Sequence, residues 1–276
     1  MANKPLSDAE IKAKLIAKAQ VEQKKENLFP TEIVPLPSKG LVYPKEHPLS
    51  SGKVEMKYMT AKEEDILTNG NLLKTGRAID ALYKSLLVGN GEGQPVSLDD
   101  MTIGDKSALM IATRVLGYGP DYTCEVTDDN GEKFDHTFNL NELKLKEVDY
   151  SIFKNSRELE YTLPVSNVKV VFKLRTSKEE EKLSKDLIAS SKSGRSSSVT
   201  TTLKHSIVSI DGDNDPKAIN KFIDNHMIAR DSLSLRLHMA EIAPDYDLTV
   251  FIDRPDKGVQ KELQLPIDTT FFWPRS

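Results

Sequence analysis

Alternation of apolar and polar residues marks several stretches of the chain as strands. Between Gly52 and Met59, apolar side chains alternate with charged ones, which is the pattern of a half-buried strand. Apolar and polar side chains also alternate on both sides of Asn130-Gly131 within residues 122–138. Asn-Gly tolerates the positive φ angles of a tight turn. A second pair of runs, 158–163 and 168–174, has the same character. The pattern therefore predicts one strand and two antiparallel hairpins.

Between these strands lie stretches in which apolar residues recur every three or four positions, the spacing of a helix. Thr60 and Glu63 form a capping box, in which two side chains satisfy amides at a helix start. Gly89 and Gly117 mark helix ends, because glycine readily adopts the backbone conformation that ends a helix. The pattern predicts helices over residues 60–69, 78–88, 102–117 and 177–192.

A further pair of helices is predicted in the last third of the chain. Asp215 followed by Pro216 is a helix start, since aspartate accepts from exposed amides and proline fits the first turn. Asp231 and Ser232 offer a second cap. From there an apolar stripe continues until Pro244 ends the helix. The stripe comprises Leu233, Leu237 and Ala240.

The chain ends in a predicted hairpin and an aromatic cluster. Two strands, 246–253 and 259–265, flank a polar turn, and Phe271, Phe272 and Trp273 follow. Fully burying each aromatic side chain stabilises by roughly 2–3 kcal/mol, so these residues are expected to dock on something. They either pack on the core of this chain or anchor a partner protein.

A proline-rich stretch from residue 29 to 50 predicts an extended arm. Its five prolines exclude regular helix. The arm either packs across the surface of this chain or lies in a neighbouring subunit. Leu36, Leu41 and Tyr43 are therefore candidate partner-binding residues, together with Phe271, Phe272 and Trp273.

Two other segments are expected to lie outside the core. Ser7 and Glu10 form a capping box before a lysine-rich helix with a thin apolar stripe, which is expected to project from the body. Residues 190–202, nearly all Ser, Thr, Gly, Lys and Arg, predict a flexible loop. Leu203, Ile207 and Ile210 then resume helical spacing.

These elements predict an α+β fold, with a helical cluster, small antiparallel β-hairpins, and a C-terminal helix pair and β-hairpin knuckle. The expected segments are a projecting helix (1–28), an extended arm (29–50), a mainly helical unit (51–120), antiparallel hairpins (121–176) and a helical unit with the C-terminal knuckle (177–276).

Composition narrows the class of protein. The charged fraction of 29% and hydrophobic fraction of 38% are typical of a water-soluble protein. No apolar run approaches the roughly 20 residues of a membrane span, and the N-terminus lacks a signal-peptide core. The net charge of −4 gives no overall attraction to nucleic acid.

No motif in the sequence predicts catalysis, a metal or a cofactor. Gly89–Gly93 follows a helix and lacks the Lys-Ser/Thr pair of a phosphate loop. Asp211–Asp215 lacks the glycine and glutamate positions of a calcium loop and predicts a turn and helix cap. The single cysteine, Cys124, is expected to be a core residue of its strand. The five histidines are scattered, and we expect the protein not to be an enzyme.

The order of several segments resembles the baseplate hub assembly proteins of T4-like contractile-tailed bacteriophages. The similar segments are Pro35–Pro44 (PLPSKGLVYP), Met59–Leu67 (MTAKEEDIL) with the helix behind it, and the C-terminal helix pair, hairpin and Phe-Phe-Trp-Pro end. Many members of that family carry a Cys-x-x-Cys pair in the terminal knuckle. Here the corresponding turn, 253–258, has no cysteine, so the resemblance implies a knuckle held by packing alone.

The resemblance implies a role in forming the central hub of a contractile tail, as a chaperone-like factor or as a hub subunit. The expected partners are other hub and tail proteins, without a small-molecule substrate, a membrane or nucleic acid. The expected location is the host cytoplasm during tail assembly or the virion baseplate. The alternative is a regulatory or nucleic-acid adaptor, whose basic face would come from the lysines of residues 12–25.

Overall fold

A computed structural model describes residues 30–127, 131–192, 198–254, 259–267 and 271–272. Helices and small antiparallel sheets alternate along this part of the chain, so the predicted α+β class is confirmed. The predicted N-terminal helix and Trp273 lie outside the described residues, as do most of the knuckle turn and the middle of the Ser/Thr loop. The division into five segments stays a prediction.

The described residues contain eight helices and twelve strands. The helices are α1 (Ala61–Thr68), α2 (Gly70–Lys74), α3 (Ala78–Leu86), α4 (Ile103–Tyr118), α5 (Ser177–Lys192), α6 (Ser198–Ser206), α7 (Pro216–Asn225) and α8 (Ala229–Ile242). The strands are β1 (Thr31–Pro35), β2 (Lys53–Lys57), β3 (Leu87–Gly89), β4 (Asp121–Thr127), β5 (Lys133–Asn139), β6 (Lys144–Leu145), β7 (Glu158–Thr162), β8 (Lys169–Lys173), β9 (Ile207–Ile210), β10 (Tyr246–Asp247), β11 (Thr249–Arg254) and β12 (Val259–Gln264).

All the strand pairs are antiparallel. Two three-stranded sheets have the orders β1-β2-β3 and β7-β8-β9, and three strand pairs join β4 to β5, β6 to β10 and β11 to β12. The three predicted hairpins are present, with Tyr122 opposite Phe138 in the first and Leu159 opposite Phe172 in the second. The third is formed by β11 and β12, and the predicted start of its first strand, Tyr246–Asp247, pairs with β6 instead. Nearly all the buried apolar residues form one cluster, which includes Val34 of β1 and Phe272 near the C-terminus.

Local capping signals placed several helices correctly. The Thr60 and Glu63 capping box is present at the start of α1. Asp215 accepts a hydrogen bond from the Lys217 amide (3.2 Å) and Pro216 is the first residue of α7. Helix α4 follows Thr102, as its pattern predicts.

Three predicted boundaries are wrong. Residues 198–202, predicted as flexible loop, belong to α6, where Leu203 supplies a buried anchor. The helical spacing predicted through 207–210 is instead strand β9, which pairs with β8 and buries Ile207. Leu87–Gly89 is likewise a strand and not a helix end, because it pairs with β2. In each case a tertiary partner overrides the local pattern.

Candidate interaction surface

Most of the predicted partner-binding residues lie in the core of this chain. Leu36, Tyr43, Phe271 and Phe272 are 1%, 3%, 0% and 6% exposed, and Leu41 is partly buried against the same cluster. In this conformation their side chains have little surface to offer a partner. Both segments therefore pack on the chain itself in this conformation, and a partner-binding role for these residues stays a prediction.

The proline-rich segment is fixed in the core by a buried carboxylate. Asp105, in the first turn of α4, accepts hydrogen bonds from the Ser38 amide (2.9 Å), the Ser38 hydroxyl (2.8 Å) and the Tyr43 hydroxyl (2.5 Å). The Tyr43 oxygen in turn accepts from the Thr102 amide (3.0 Å). Burial raises the pKa of Asp105 and outweighs these hydrogen bonds, and burial beside Asp105 raises the pKa of Tyr43. The junction ties the segment to α4.

Tight turns return this segment to β2 instead of extending it as an arm. Gly40 has φ +77°, and a Cβ there would lie 2.3 Å from the Ser50 carbonyl oxygen. Only glycine fits such a position without strain. Before the turns, residues 31–35 form β1, which pairs with β2 from Thr31↔Lys57 to Pro35↔Lys53.

The terminal phenylalanines pack against two tyrosines from distant elements. The Phe271 ring meets Tyr122 of β4 edge-on, with centroids 5.0 Å apart, and Phe272 meets Tyr83 of α3 at 6.4 Å. The Tyr122 hydroxyl donates to the Pro266 carbonyl oxygen (2.8 Å). These contacts hold the end of the described chain between α3 and β4.

Helix α8 presents its predicted apolar stripe to solvent, contrary to the usual burial of such stripes. Leu233 and Leu237 are 48% and 61% exposed, whereas Leu235 is fully buried. Successive residues of a helix are about 100° apart, so positions two apart lie on nearly opposite faces. The leucines of this helix therefore divide between a core face and an exposed face, which we call the α8 leucine face (Leu233 and Leu237).

Asp231 fixes this rotation of α8. It was predicted as a helix cap, but the N-cap residue is Ile228 and Asp231 lies in the first turn. Its buried carboxylate accepts from the amides of Val165 (2.8 Å) and Ser166 (3.1 Å), in the turn between β7 and β8. Because Leu235 follows one turn later on the same side, the tie to this turn directs Leu235 inward and the leucine face outward.

A half-open groove of about 330 Å³ lies along one side of α8. Helices α4, α6 and α8 contribute to its walls, and the C-terminal end of β8 closes it. We call this cavity the α8 groove. Its apolar lining includes Ile103, Leu174, Leu203, Met239, Ala240 and Ala243, and its charged lining residues are Lys173, Arg175 and Arg236.

Two of the groove's cations, Lys173 at the end of β8 and Arg175 just after it, form ion pairs with α5. Lys173 and Arg157 both donate to Glu179 of α5, each at 2.6 Å, and Arg175 donates to Glu180 (2.7 Å). Burial raises the pKa of Glu179, but the hydrogen bonds from Arg157, Lys173 and the Thr176 amide outweigh it and lower the pKa from 4.5 to about 2. These ion pairs therefore connect the base of the groove to α5.

The cysteine, the Asp211–Asp215 turn and several histidines make contacts within the fold. Cys124 is buried on β4, and Asp211–Asp215 forms a turn that leads to the cap of α7. Two histidines stack on aromatic rings: His47 on Tyr43 with centroids 5.3 Å apart, and His238 on Tyr161 with centroids 4.5 Å apart. Within the described ranges, no cluster of three or more His, Cys, Asp or Glu residues is arranged to hold a metal ion. No helix in the same ranges has the length and apolar character needed to cross a bilayer.

The α8 leucine face was visible in the sequence as a stripe, but its exposure was not. The alternating leucines at 233, 235 and 237 are equally apolar. Long-range contacts distinguish the two faces, among them the hydrogen bonds of Asp231 and the hydrogen bond between Ser234 and Tyr161 (2.7 Å).

Comparison with known proteins identifies the family. The family model described as T4 bacteriophage base plate protein matches residues 42–273, well over half of the chain. No curated protein and no solved structure matches the chain. The matched range includes α8 with its leucine face and groove. The chain belongs to the T4 bacteriophage base plate protein family.

Proposed function

We propose that this protein helps to form the central hub of the phage baseplate, as a chaperone-like factor or hub subunit, through protein contacts at α8. The observation that carries the proposal is the α8 leucine face. A baseplate protein works within an assembly, and large apolar residues exposed together are typical of protein-binding surfaces. Its partners are other hub and tail proteins, met in the host cytoplasm during tail assembly.

The energy available at the leucine face suits an assembly contact. Fully burying a leucine side chain stabilises by roughly 1.5–3 kcal/mol. Leu233 and Leu237 are about half exposed, so covering both would contribute roughly 2–3 kcal/mol. A specific interface needs a larger area than two side chains, and the groove beside α8 supplies adjoining surface.

The test is assembly by a variant that keeps its fold. The double substitution Leu233→Ser and Leu237→Ser removes the apolar face, and Ile188→Ser on α5 is a matched control, because Ile188 is 56% exposed. Each variant would replace the natural copy in the phage, and thermal unfolding of the purified proteins would establish folding. We expect the double variant to fold but to stop baseplate assembly, while the control supports it.

Normal yields of infectious particles from the double variant would contradict the proposal. So would the failure of the natural protein to co-purify with any baseplate assembly intermediate.

A further inference from the structure

We propose that the α8 groove receives an apolar segment of a partner baseplate protein that carries carboxylates at its margin. This inference rests on the proposed function and specifies the chemistry of the partner. It follows from the apolar lining, the sign of the charges around it and the rigidity of its walls.

The lining favours an apolar occupant. Side chains from three helices, among them Ile103, Leu203 and Met239, form most of the groove surface. Ile103 is 38% exposed, and the exposed Ala240 connects the groove to the leucine face one turn earlier. An apolar segment lying there would cover the groove and Leu237 together, in the manner of a helix packed into a groove.

The charges require the occupant to be acidic. Lys173, Arg175 and Arg236 are the charged residues lining the groove, and all three are cations. Lys173 and Arg175 are neutralised by glutamates behind them. The Arg236 Nε donates to the Ser232 carbonyl oxygen (3.3 Å), and Arg236 makes no ion pair with any described residue. A neutral partner covering this guanidinium would leave a desolvated, unpaired charge, which costs free energy.

The walls of the groove are formed before a partner binds. A Cβ on Gly104 would lie 1.8 Å from the Pro244 carbonyl oxygen, so α4 is in direct backbone contact with the segment that follows α8. The Arg175 guanidinium also donates to the Ser206 hydroxyl (2.6 Å), which joins the base of the groove to α6. A rigid site loses little conformational entropy on binding.

The same observations argue against two other occupants. A second copy meeting groove to groove would oppose cation to cation. Single-stranded nucleic acid would match the charge, but the groove lining includes no aromatic side chain on which bases could stack.

Site-specific photo-crosslinking in infected cells tests the inference. The full chain would carry p-benzoylphenylalanine at position 240, with a second version carrying it at position 188 as the control. We expect a crosslink from position 240 to a phage tail protein, in a peptide that combines apolar residues with Asp or Glu. Adding Arg236→Glu should lower its yield at least tenfold, whereas Arg236→Lys should retain most of it. Exchanging the partner's carboxylate for lysine should restore the crosslink to the Arg236→Glu protein.

Crosslinking from position 240 only to a second copy or to DNA would overturn the inference. The absence of a crosslink would do so too, as would an Arg236→Glu protein that is folded and crosslinks normally. The proposed function fails separately: the chain would then be missing from baseplate intermediates, or the leucine-face variant would assemble normally. A defective leucine-face variant beside a fully active Arg236→Glu protein would refute the groove inference alone.

Discussion

The substitution Glu63→Gln tests how the first helical elements are held together. The Glu63 carboxylate is fully buried and accepts from the Thr60 amide (3.0 Å), the Ser85 hydroxyl (2.7 Å) and the Lys57 ammonium (3.1 Å). These donors belong to the start of α1, to α3 and to β2. One carboxylate therefore joins three elements.

The size of the Glu63 contribution to the free energy of unfolding follows from its pKa. Burial raises this pKa, but the hydrogen bonds from Thr60, Ser85 and Lys57 outweigh it and lower the pKa from 4.5 to about 2. At about 1.4 kcal/mol per pKa unit, the ionised carboxylate contributes up to roughly 3 kcal/mol of stability. Glutamine keeps the shape and one acceptor oxygen, so we expect Glu63→Gln to lower the free energy of unfolding by roughly 2–3 kcal/mol at pH 7.

Urea unfolding followed by circular dichroism measures this difference. The matched control is Asp65→Asn, which removes an exposed carboxylate from the same helix and should change stability by less than about 0.5 kcal/mol. The folded pKa lies below the unfolded value. The contribution of Glu63 is therefore complete above about pH 4.5 and is lost as the pH falls towards 2.

The difference between the natural protein and Glu63→Gln should consequently shrink as the pH is lowered from 5 to 3. A difference below about 0.5 kcal/mol at pH 7, or one that does not change with pH, would show that the Glu63 carboxylate does not stabilise the fold in this way.

Three further substitutions test the packing described above. Asp105→Ala leaves the Tyr43 hydroxyl without its buried acceptor and should cost about 3 kcal/mol or more in urea unfolding; an unchanged midpoint would contradict the junction. Gly104→Ala forces the segment that follows α8 away from α4 and should cost roughly 1–3 kcal/mol, while Gly70→Ala, with open space around its Cβ position, should be nearly neutral; equal effects would contradict the close approach. Phe271→Ala should lower stability by roughly 3–5 kcal/mol, and a folded variant of natural stability that fails only in assembly would support the predicted partner-binding role of Phe271 instead.

Much of the fold follows from local signals in the sequence. The hairpin around Asn130-Gly131 and the capping box at Thr60 each depend on residues within a short span, and both are present. Such elements are predictable because turn chemistry and capping act on the nearest backbone groups.

The errors occur where a distant partner decides the structure. The prolines around Tyr43 correctly exclude helix, but the segment is buried because Asp105, 62 residues later, accepts from the Tyr43 hydroxyl. Leu233 and Leu235 are indistinguishable by spacing. Which of them faces solvent depends on the hydrogen bonds of Asp231 to the turn after β7 and of Ser234 to Tyr161 of β7. Pairing across 60 residues or more is not encoded in the local pattern.

We propose that the α8 leucine face is a contact surface of the phage baseplate. Electron cryomicroscopy of a baseplate assembly intermediate containing this chain tests it most directly. We expect Leu233 and Leu237, 48% and 61% exposed in the isolated chain, to be buried there against a neighbouring baseplate protein. An intermediate in which this chain is held by other surfaces, with both leucines still in solvent, would contradict it.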